Sequence, residues 1–267
     1  MPNTETRPTM KNQTLRSIGC GIAAVFCLAM MAQAENPANG PAARDGLVVE
    51  YRFEGNASDT SGNGRHAELR GQPGFVEGRQ GQCLALNGAG DYADSLLPLA
   101  DLGDTFTVEC WVKPDSQQNR YANIFGNHAH GGLGFVAQQD GAASNRFTMG
   151  YGMGAGQWVL TRPVRLTPGK WQHVAMVKTP ETLSFFLNGV AVASVPATAP
   201  MAASPTTLRA GLGFSGQERC FRGCIDEFRV WKRALTKFEL DLTPEEKAMH
   251  MVERLDLGWV SAHHSQP

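Results

Sequence analysis

The segment between Asp104 and Pro114 limits the fold more than any other stretch of the chain. Its side chains alternate strictly: Phe106, Val108, Cys110 and Val112 fall on one face, and Thr107, Glu109, Trp111 and Lys113 on the other. A period of two is that of a β-strand, and an apolar set on one face predicts a strand with one side in a hydrophobic core. Proline cannot donate a ladder hydrogen bond, so Pro114 is expected to end the strand.

The chain from Gly46 to Trp231 consists of short strand-like runs separated by Gly, Asn, Asp and Pro. The predicted strands cover residues 47–53, 66–70, 83–86, 91–95, 104–114, 121–125, 134–136, 146–151, 157–160, 171–178, 182–187, 190–195, 207–211 and 222–231. Asn188 and Gly189, between two of these runs, form the strongest hairpin signal. This pattern predicts antiparallel sheets in one all-β domain, either sandwiched or closed.

The first 45 residues are expected to lie outside this domain. Lys11 and Arg16 precede an apolar run that starts at Ile18, and an Ala-Gln-Ala site at 32–34 follows it. These are the three parts of a secretory signal peptide, predicted to be cleaved before Glu35. A membrane anchor is the alternative, but the run is shorter than the about 20 apolar residues needed to span a bilayer. Residues 35–45 are predicted to be a flexible leader, and the mature protein to be exported: secreted, periplasmic or at the cell surface.

The C-terminal part of the chain carries helix signals instead. Residues 236–239 and 243–246 both resemble capping boxes. Ala248, Met251, Val252 and Leu255 then follow at helical spacing. The sequence thus predicts a domain over 46–240, followed by a short helix at about 244–255 and a polar tail within 241–267. The apolar stripe is expected to pack on the domain or to contact a partner.

Charge and cysteine content restrict the function and the compartment. The chain carries 24 Lys and Arg against 25 Asp and Glu, which is no footprint for nucleic acid or an anionic membrane. Four cysteines remain after signal cleavage: Cys83, Cys110, Cys220 and Cys224. An even number in an exported chain predicts two disulfides, with three possible connectivities. A zinc half-site at Cys220 and Cys224 lacks a second pair at matching spacing. Nor can these two pair while the chain between them is extended.

Several motifs, taken in order, resemble the LamG-like family of jelly-roll domains (laminin G type 3, concanavalin A-like lectin/glucanase). They lie at residues 51–56 with 59–64, 84–88 with 90–92, 106–114, 169–174, 187–189 and 225–235. The resemblance implies an all-β, two-sheet antiparallel jelly-roll sandwich, to which the helix signals add a short C-terminal α-helix. Residues 221–225 are similar to the closing strand of laminin G modules, which implies a disulfide from Cys224 to a cysteine farther upstream than Cys220.

The family includes glucanases, so the resemblance also makes glycoside hydrolysis a candidate activity, which requires suitably placed carboxylates. Its enzymes carry a Glu-x-Asp-x-Glu-like strand, which is missing here, and Glu109 stands alone on its strand. Asp226 and Glu227 are adjacent and are therefore expected to point to opposite faces. A glycosidase needs two carboxylates on one site. His173 shares a strand face with Trp171 and is expected to be structural. The prediction is a non-enzyme with no catalytic residue.

One metal site and one ligand site are predicted. The loop of Asp59, Ser61 and Asn63 concentrates oxygen donors, as calcium prefers, and Asp226 needs a partner if buried. Family members often bind a structural calcium, so Asp59, Asn63 and Asp226 are candidate ligands of one Ca2+. The alternative is an Asx-turn loop. Candidate ligand-binding residues combine aromatic and polar side chains of the middle strands and loops: Tyr121, Asn123, Asn127, His128, Tyr151, Gln157 and Trp158.

The resulting hypothesis is a secreted, non-catalytic module that binds carbohydrate or a glycoconjugate. His128 and His130 lie in a Gly-rich loop that is expected to be solvated, although their spacing could also serve a ligand. Trp158 ends a second Gly-rich loop, which begins at Tyr151, and its alternative role is to cap the core edge. The second hypothesis is a structural or adhesion module that contacts an extracellular or cell-surface protein. A glycoside hydrolase is the third.

Overall fold

A computed structural model describes residues 44–98, 102–141, 144–214, 219–238 and 240. The predicted signal peptide, nearly all of the leader and the predicted helix at 244–255 lie outside these residues. The described part contains sixteen β-strands and no α-helix. The strands are β1 Leu47–Tyr51, β2 Glu68–Arg70, β3 Gly74–Glu77, β4 Gln82–Asn87, β5 Tyr92–Pro98, β6 Phe106–Pro114, β7 Asn123–Gly126, β8 Phe135–Gln139, β9 Arg146–Gly154, β10 Gln157–Leu160, β11 Val164–Arg165, β12 Gln172–Lys178, β13 Thr182–Leu187, β14 Val190–Pro196, β15 Thr207–Ala210 and β16 Arg222–Trp231.

The strands form two antiparallel sheets, as the sequence predicts. Sheet 1 has the order β14-β13-β12-β6-β16-β4-β3, with β1 also paired to β16. Sheet 2 has the order β10-β9-β8-β7-β15-β5-β2, with β11 also paired to β9. Eight of the fourteen strand pairs in the described part of the chain join strands that are not consecutive, which is the connectivity expected of a sandwich rather than of a simple meander. The all-β jelly-roll prediction is confirmed.

The apolar side of β6 lies in the core between the sheets. Phe106, Val108, Cys110 and Val112 all belong to the main hydrophobic cluster. The ring of Phe106 packs 4.9 Å from that of Phe135 in sheet 2, so this strand joins the two layers. The prediction that only one face is buried is wrong, however. Glu109 and Trp111, on the outward side, are 5% and 6% exposed.

Other parts of the chain cover the outward side of β6. Arg79, in the loop between β3 and β4, places its guanidinium 4.6 Å from the centroid of the Trp111 ring. The segment after β16 crosses above Thr107, whose hydroxyl donates to the carbonyl of Arg233 and accepts from the N–H of Leu235. Long-range coverage of this kind has no signature in the alternation of the strand itself, so periodicity alone could not predict it.

The hairpin between β13 and β14 has the predicted turn. Asn188 and Gly189 have φ values of 48° and 79°, the left-handed conformation that a two-residue hairpin turn requires at both positions. The Asn188 side chain also accepts the N–H of His173, which fixes the turn to β12. Local sequence therefore determines this turn, in contrast to the loops that cover β6.

The four cysteines among the described residues, Cys83, Cys110, Cys220 and Cys224, are free thiols in the structure, whereas the sequence predicts two disulfides. Cys110 points into the core, while Cys83 and Cys224 lie on the outward side of sheet 1, since their neighbours Leu84 and Ile225 face inward. Cys110 is therefore separated from those two by the sheet itself. Cys220 precedes β16 and forms a bridge with Asn123, away from the extended run that holds Cys224.

Candidate binding site

An open groove of about 320 Å3 lies on the outward face of sheet 2. Val136 and Gln138 of β8 contribute to its floor, because Phe135 and Ala137 of the same strand face the core. The remaining lining comes from β10 and two loops: His128, Ala129, His130, Gly131, Gly132, Gly156, Trp158, Leu160, Phe214 and Arg219. We call this cavity the aromatic groove.

Glycines hold one wall of the aromatic groove against the sheet. The N–H groups of Gly152, Gly154 and Gly156 donate to the carbonyls of Gly134, Gly132 and Gly131, respectively. A Cβ at Gly152 would lie 2.0 Å from the carbonyl oxygen of Gly132. Only a glycine permits so close an approach of two backbones. The Gly-rich loop is thus packed on β9, and the expectation that it is solvated is wrong for His128, which is buried.

Four aromatic rings meet in this wall and its surroundings. The imidazole of His128 stacks on Phe214, with centroids 4.9 Å apart, and meets the edge of Trp158 at 5.7 Å. His130 contacts the other side of the cluster, 4.5 Å from Phe214. Trp158 is only partly buried and Leu160 is half exposed. The groove therefore presents apolar ring surface to solvent.

Arg219 supplies the charge of the groove. Its guanidinium lies 4.9 Å from the Phe214 ring centroid and 5.2 Å from that of Tyr121, and its Nη1 donates to Oε1 of Gln138 at 3.0 Å. Burial lowers the pKa of His128 to about 3, and the charges of Arg219 and His130 act in the same direction. His128 is therefore neutral at physiological pH. Among the described residues that line the groove, none is acidic.

The structure brings two of the predicted ligand residues, His128 and Trp158, together in the aromatic groove. Gln157 is exposed beside the groove, and the ring of Tyr121 contacts the guanidinium of Arg219. Three predictions need correction, because the side chains are buried for structural reasons. The Tyr151 hydroxyl donates to the carbonyl of Ala199, Asn123 Oδ1 accepts the N–H of Gly213, and Asn127 Oδ1 accepts the N–H of Phe135.

Sequence reasoning missed Phe214, Arg219, Gln138 and Leu160. Phe214 follows Gly211 and Gly213 in a Gly-flanked aromatic loop, which is the same signal that singled out Trp158. Leu160 lies in a predicted strand and Gln138 lies just beyond the end of another, but neither residue by itself indicates a ligand site. Their shared location depends on the pairing of β8, β9 and β10, which is a tertiary property.

The predicted calcium ligands are separated in space. Asp59 and Asn63 both contact β1: Asp59 Oδ1 accepts the N–H of Glu50, and Asn63 Nδ2 donates to the carbonyls of Leu47 and Val48. Asp226 instead accepts the N–H groups of Arg79 and Gln80. In the part of the chain that the structure describes, no group of three or more His, Cys, Asp or Glu is placed to hold a metal ion.

The Asp59 loop also uses its own carboxylate oxygens. Asp59 Oδ1 accepts from the N–H of Ser61, and Oδ2 accepts from the N–H of Arg65 and the hydroxyl of Ser61. Burial acts to raise the pKa of Asp59, but these hydrogen bonds outweigh it and hold the pKa below its usual value. This is the pattern of an Asx-turn that orders its own backbone. The residues as arranged do not form a cation cage, so the structure favours the Asx-turn alternative over the calcium site, which stays an untested prediction.

A second cavity, of about 300 Å3, lies on the outward face of sheet 1 beside Glu109. Glu109 Oε2 accepts from His173 Nε2 at 3.0 Å, and Oε1 accepts from Trp231 Nε1 at 2.8 Å. Burial favours a raised pKa for Glu109, yet its hydrogen bond to His173 and the charge of Arg229 keep the pKa below its usual value. Phe238, in the segment after β16, packs 5.2 Å from the His173 ring. Glu109 is thus ionised and covered.

The pair Asp226 and Glu227 does not follow the predicted alternation. On β16, Asp226 lies opposite Trp111 and Arg229 lies opposite Glu109, so three residue steps along β16 match two steps along β6. This is a β-bulge, and Glu227 takes φ of 49° within it. Ile225 and Phe228 both stay in the core. Asp226 and Glu227 therefore share the outward side, contrary to expectation, and Glu227 forms an ion pair with Arg229.

Together, the two antiparallel sheets form a jelly-roll sandwich that carries an open groove lined by aromatic rings on one outer face. A family model, Laminin_G_3, described as the concanavalin A-like lectin/glucanases superfamily, matches residues 87–241, more than half of the chain. The protein belongs to this family. The described residues contain no helix that is long and apolar enough to cross a membrane.

Known proteins and solved structures agree with this assignment. Mouse pappalysin-1 is 25% identical over 162 residues, a match that covers 55% of this chain and 10% of that protein. Domain 4 of AbnA, an extracellular GH43 arabinanase from Geobacillus stearothermophilus solved with arabinotriose, superposes with a TM-score of 0.58 and 22% identity, covering 71% of this chain and 94% of the other. The binding domain of Paraclostridial Mosquitocidal Protein 1 superposes with a TM-score of 0.57 and 16% identity, and the match covers 72% of this chain and 50% of the other. The chain spans only a small part of the curated relative, and the structural likenesses concern the fold.

Proposed function

We propose that this protein is an exported, non-catalytic module that binds the carbohydrate of a glycan or glycoconjugate in the aromatic groove. The observation that carries the proposal is the partly exposed Trp158 beside the stacked rings of His128 and Phe214. Sugar rings present apolar C–H faces and a rim of hydroxyls, so a ligand of this class needs aromatic surface next to hydrogen-bonding groups. Gln138 and Arg219 offer such groups at the same groove.

The likeness to AbnA domain 4 supports the proposal, because that domain was solved with a trisaccharide. The proposed absence of catalysis is supported by the state of Glu109. Both of its oxygens accept hydrogen bonds from the protein and it lies under the segment after β16. A general acid must carry a proton and reach the substrate.

Glycan-array binding followed by calorimetry tests the ligand class. We expect the strongest ligand to lose about tenfold or more in affinity in Trp158→Ala. Trp171→Ala is the matched control, since Trp171 is also partly buried but stacks on Lys113 away from the groove. Equal losses in both variants, or an array without any ligand, would refute carbohydrate binding at this groove and favour a protein partner.

Two further measurements test the rest of the proposal. Incubation with β-glucans and arabinans is expected to release no reducing sugar, and release that is lost in Glu109→Gln would show a hydrolase. Expression of the full chain with its first 34 residues is expected to deliver a product outside the cytoplasm that begins at Glu35. An intact N-terminus in the cytoplasmic fraction would contradict export.

A further inference from the structure

Two cysteines lie diagonally across from each other on neighbouring strands of sheet 1. Strands β4 and β16 are antiparallel, with Cys224 opposite Ala85. Cys83 is two residues from Ala85 and therefore on the same face as Cys224. The two side chains are therefore neighbours across the strand pair. Both lie outside the core, on the outward side of the sheet, far from the aromatic groove on sheet 2.

The two thiols differ in access. Cys83 is fully buried, and its Sγ lies 3.6 Å from the carbonyl oxygen of Glu77. Cys224 is partly exposed and lines a surface hollow of about 430 Å3, together with Lys113, Pro168 and Gly169. A reagent in this hollow would reach the Sγ of Cys224 but not that of Cys83. Cys110, by contrast, is sealed in the core.

The surroundings also shift the pKa values of the two thiols in opposite directions. The hydrogen bond with Cys83 lowers the pKa of Cys224 to about 7; burial opposes the shift and the Lys113 ammonium supports it. The same hydrogen bond, with burial, raises the pKa of Cys83. Thiolates, not thiols, attack disulfides, and the best attacking thiol has a pKa near the ambient pH. The accessible sulfur is therefore the nucleophile.

We propose that Cys224 and Cys83 form a thiol–disulfide exchange site, in which Cys224 attacks a small-molecule disulfide and Cys83 resolves the product. The Cys224 thiolate bonds to one sulfur of the oxidant RSSR and releases RS⁻. Cys83 loses its proton and attacks Cys224 Sγ, which releases the second RS⁻ and leaves a Cys83–Cys224 disulfide. The protein dithiol is oxidised by two electrons, the oxidant becomes two thiols, and the protons from the two cysteines end on those thiols.

The register of the strands indicates that this disulfide is reducible. Cysteines that are diagonal across an antiparallel pair have Cα atoms about 7–8 Å apart, while a relaxed disulfide prefers a separation below about 6.8 Å. Closing the bond must draw β4 and β16 together, and strained or exposed disulfides are the labile ones. The site is therefore suited to reversible exchange rather than to a permanent cross-link.

Treatment of the reduced full-length protein with oxidised glutathione tests the proposal. We expect the mass to fall by two hydrogen atoms, with non-reducing peptide maps joining Cys83 to Cys224, and dithiothreitol to reverse the change. Cys83→Ser is expected to stop at a glutathione adduct on Cys224, while Cys224→Ser gives neither product. Cys220→Ala is the control and is expected to react as the unmodified protein does. A linked peptide that joins Cys224 to any other cysteine, or no adduct in Cys83→Ser, would overturn the proposal.

A kinetic readout separates this role from a merely structural thiol. The rate of Cys224 alkylation by iodoacetamide is expected to rise with pH and to level off above about 7. In Cys83→Ala, which keeps a small side chain without the donor, the midpoint is expected to move up toward about 8.5, the ordinary value for cysteine. A midpoint that is already ordinary in the unmodified protein would contradict the division of roles. The circular dichroism spectrum of each variant shows whether it is folded.

Discussion

The aromatic groove on sheet 2 and the Glu109 cluster on sheet 1 contain nearly the same set of side chains. The groove combines His128, Trp158, Phe214 and Arg219; the cluster combines His173, Trp231, Phe238 and Arg229. The two regions differ in two respects: the cluster contains a carboxylate, and a segment of the chain covers it. Glu109 accepts hydrogen bonds from the imidazole and the indole, and the segment after β16 lies across them. In the groove there is no carboxylate among the described lining residues, and Trp158 remains partly exposed.

This comparison separates stability from binding. Polar groups that satisfy one another under cover contribute to the folded state and leave nothing for a ligand. Aromatic surface that stays exposed in the free protein contributes free energy of binding when a partner covers it. Variants of the cluster should therefore change the free energy of unfolding, and variants of the groove should change affinity.

The largest expected effect is that of Glu109→Ala. It leaves His173 and Trp231 without their shared acceptor and Arg229 with one fewer opposing charge, so we expect a loss of about 3–5 kcal/mol in the free energy of unfolding. Glu109→Gln keeps an acceptor for one donor and should cost less. Urea denaturation measures both. A loss below about 1 kcal/mol for the alanine variant would mean that the cluster is not a unit of stability.

The second effect is acid sensitivity of sheet 1. Burial acts to raise the pKa of Glu50, but the hydrogen bond and charge of Arg229 outweigh it and lower the pKa to about 2. A lowered folded-state value contributes stability above the unfolded value near 4.5, and that contribution is lost as the pH falls toward 2. We expect it to be on the order of 2 kcal/mol, allowing for the partly exposed guanidinium. Melting temperatures of the protein and of Glu50→Gln between pH 2 and 6 measure it.

Asp226 should act in the opposite direction within the same titration. Burial raises its pKa to about 6, against the hydrogen bonds from Arg79 and Gln80. Its contribution is present below the unfolded value near 3.8 and is lost as the pH rises through about 6. Asp226→Asn should therefore flatten the upper part of the curve, whereas Glu50→Gln flattens the lower part. Two variants with the same profile would contradict these assignments.

A smaller effect is expected from Arg219→Gln in the groove. It removes the one permanent charge among the described lining residues, so binding of a ligand from the array should weaken by about threefold to tenfold and lose part of its dependence on salt. Stability should change by less than about 1 kcal/mol, because Arg219 lies outside the strands and is only partly buried. Calorimetry at low and high salt measures the first and urea denaturation the second. A large loss of stability without any change in affinity would assign Arg219 to the fold.

The sequence predicted the sheets better than it predicted what covers them. Alternation located β6, the Asn188-Gly189 pair located the hairpin, and family motifs supplied the two-sheet architecture. β3 and β11 were missed, since each has no more than four residues and pairs at an edge. The bulge at Glu227 reversed an argument that rested on strict period two. At the groove, Trp158 and His128 were found by composition, but Phe214 and Arg219 approach them only through tertiary packing.

The smallest expected effect concerns the Asp59 loop. A bound calcium would raise the melting temperature at millimolar calcium. Because both carboxylate oxygens of Asp59 already accept hydrogen bonds from the loop, we expect no shift. Asp59→Ala should still destabilise the protein, by about 1–3 kcal/mol, since the N–H groups of Glu50, Ser61 and Arg65 would lose their acceptor. Ser58→Ala, at an exposed neighbouring position, is the control. A rise of several degrees with calcium that disappears in Asp59→Ala would show instead that this carboxylate exchanges its backbone partners for a cation.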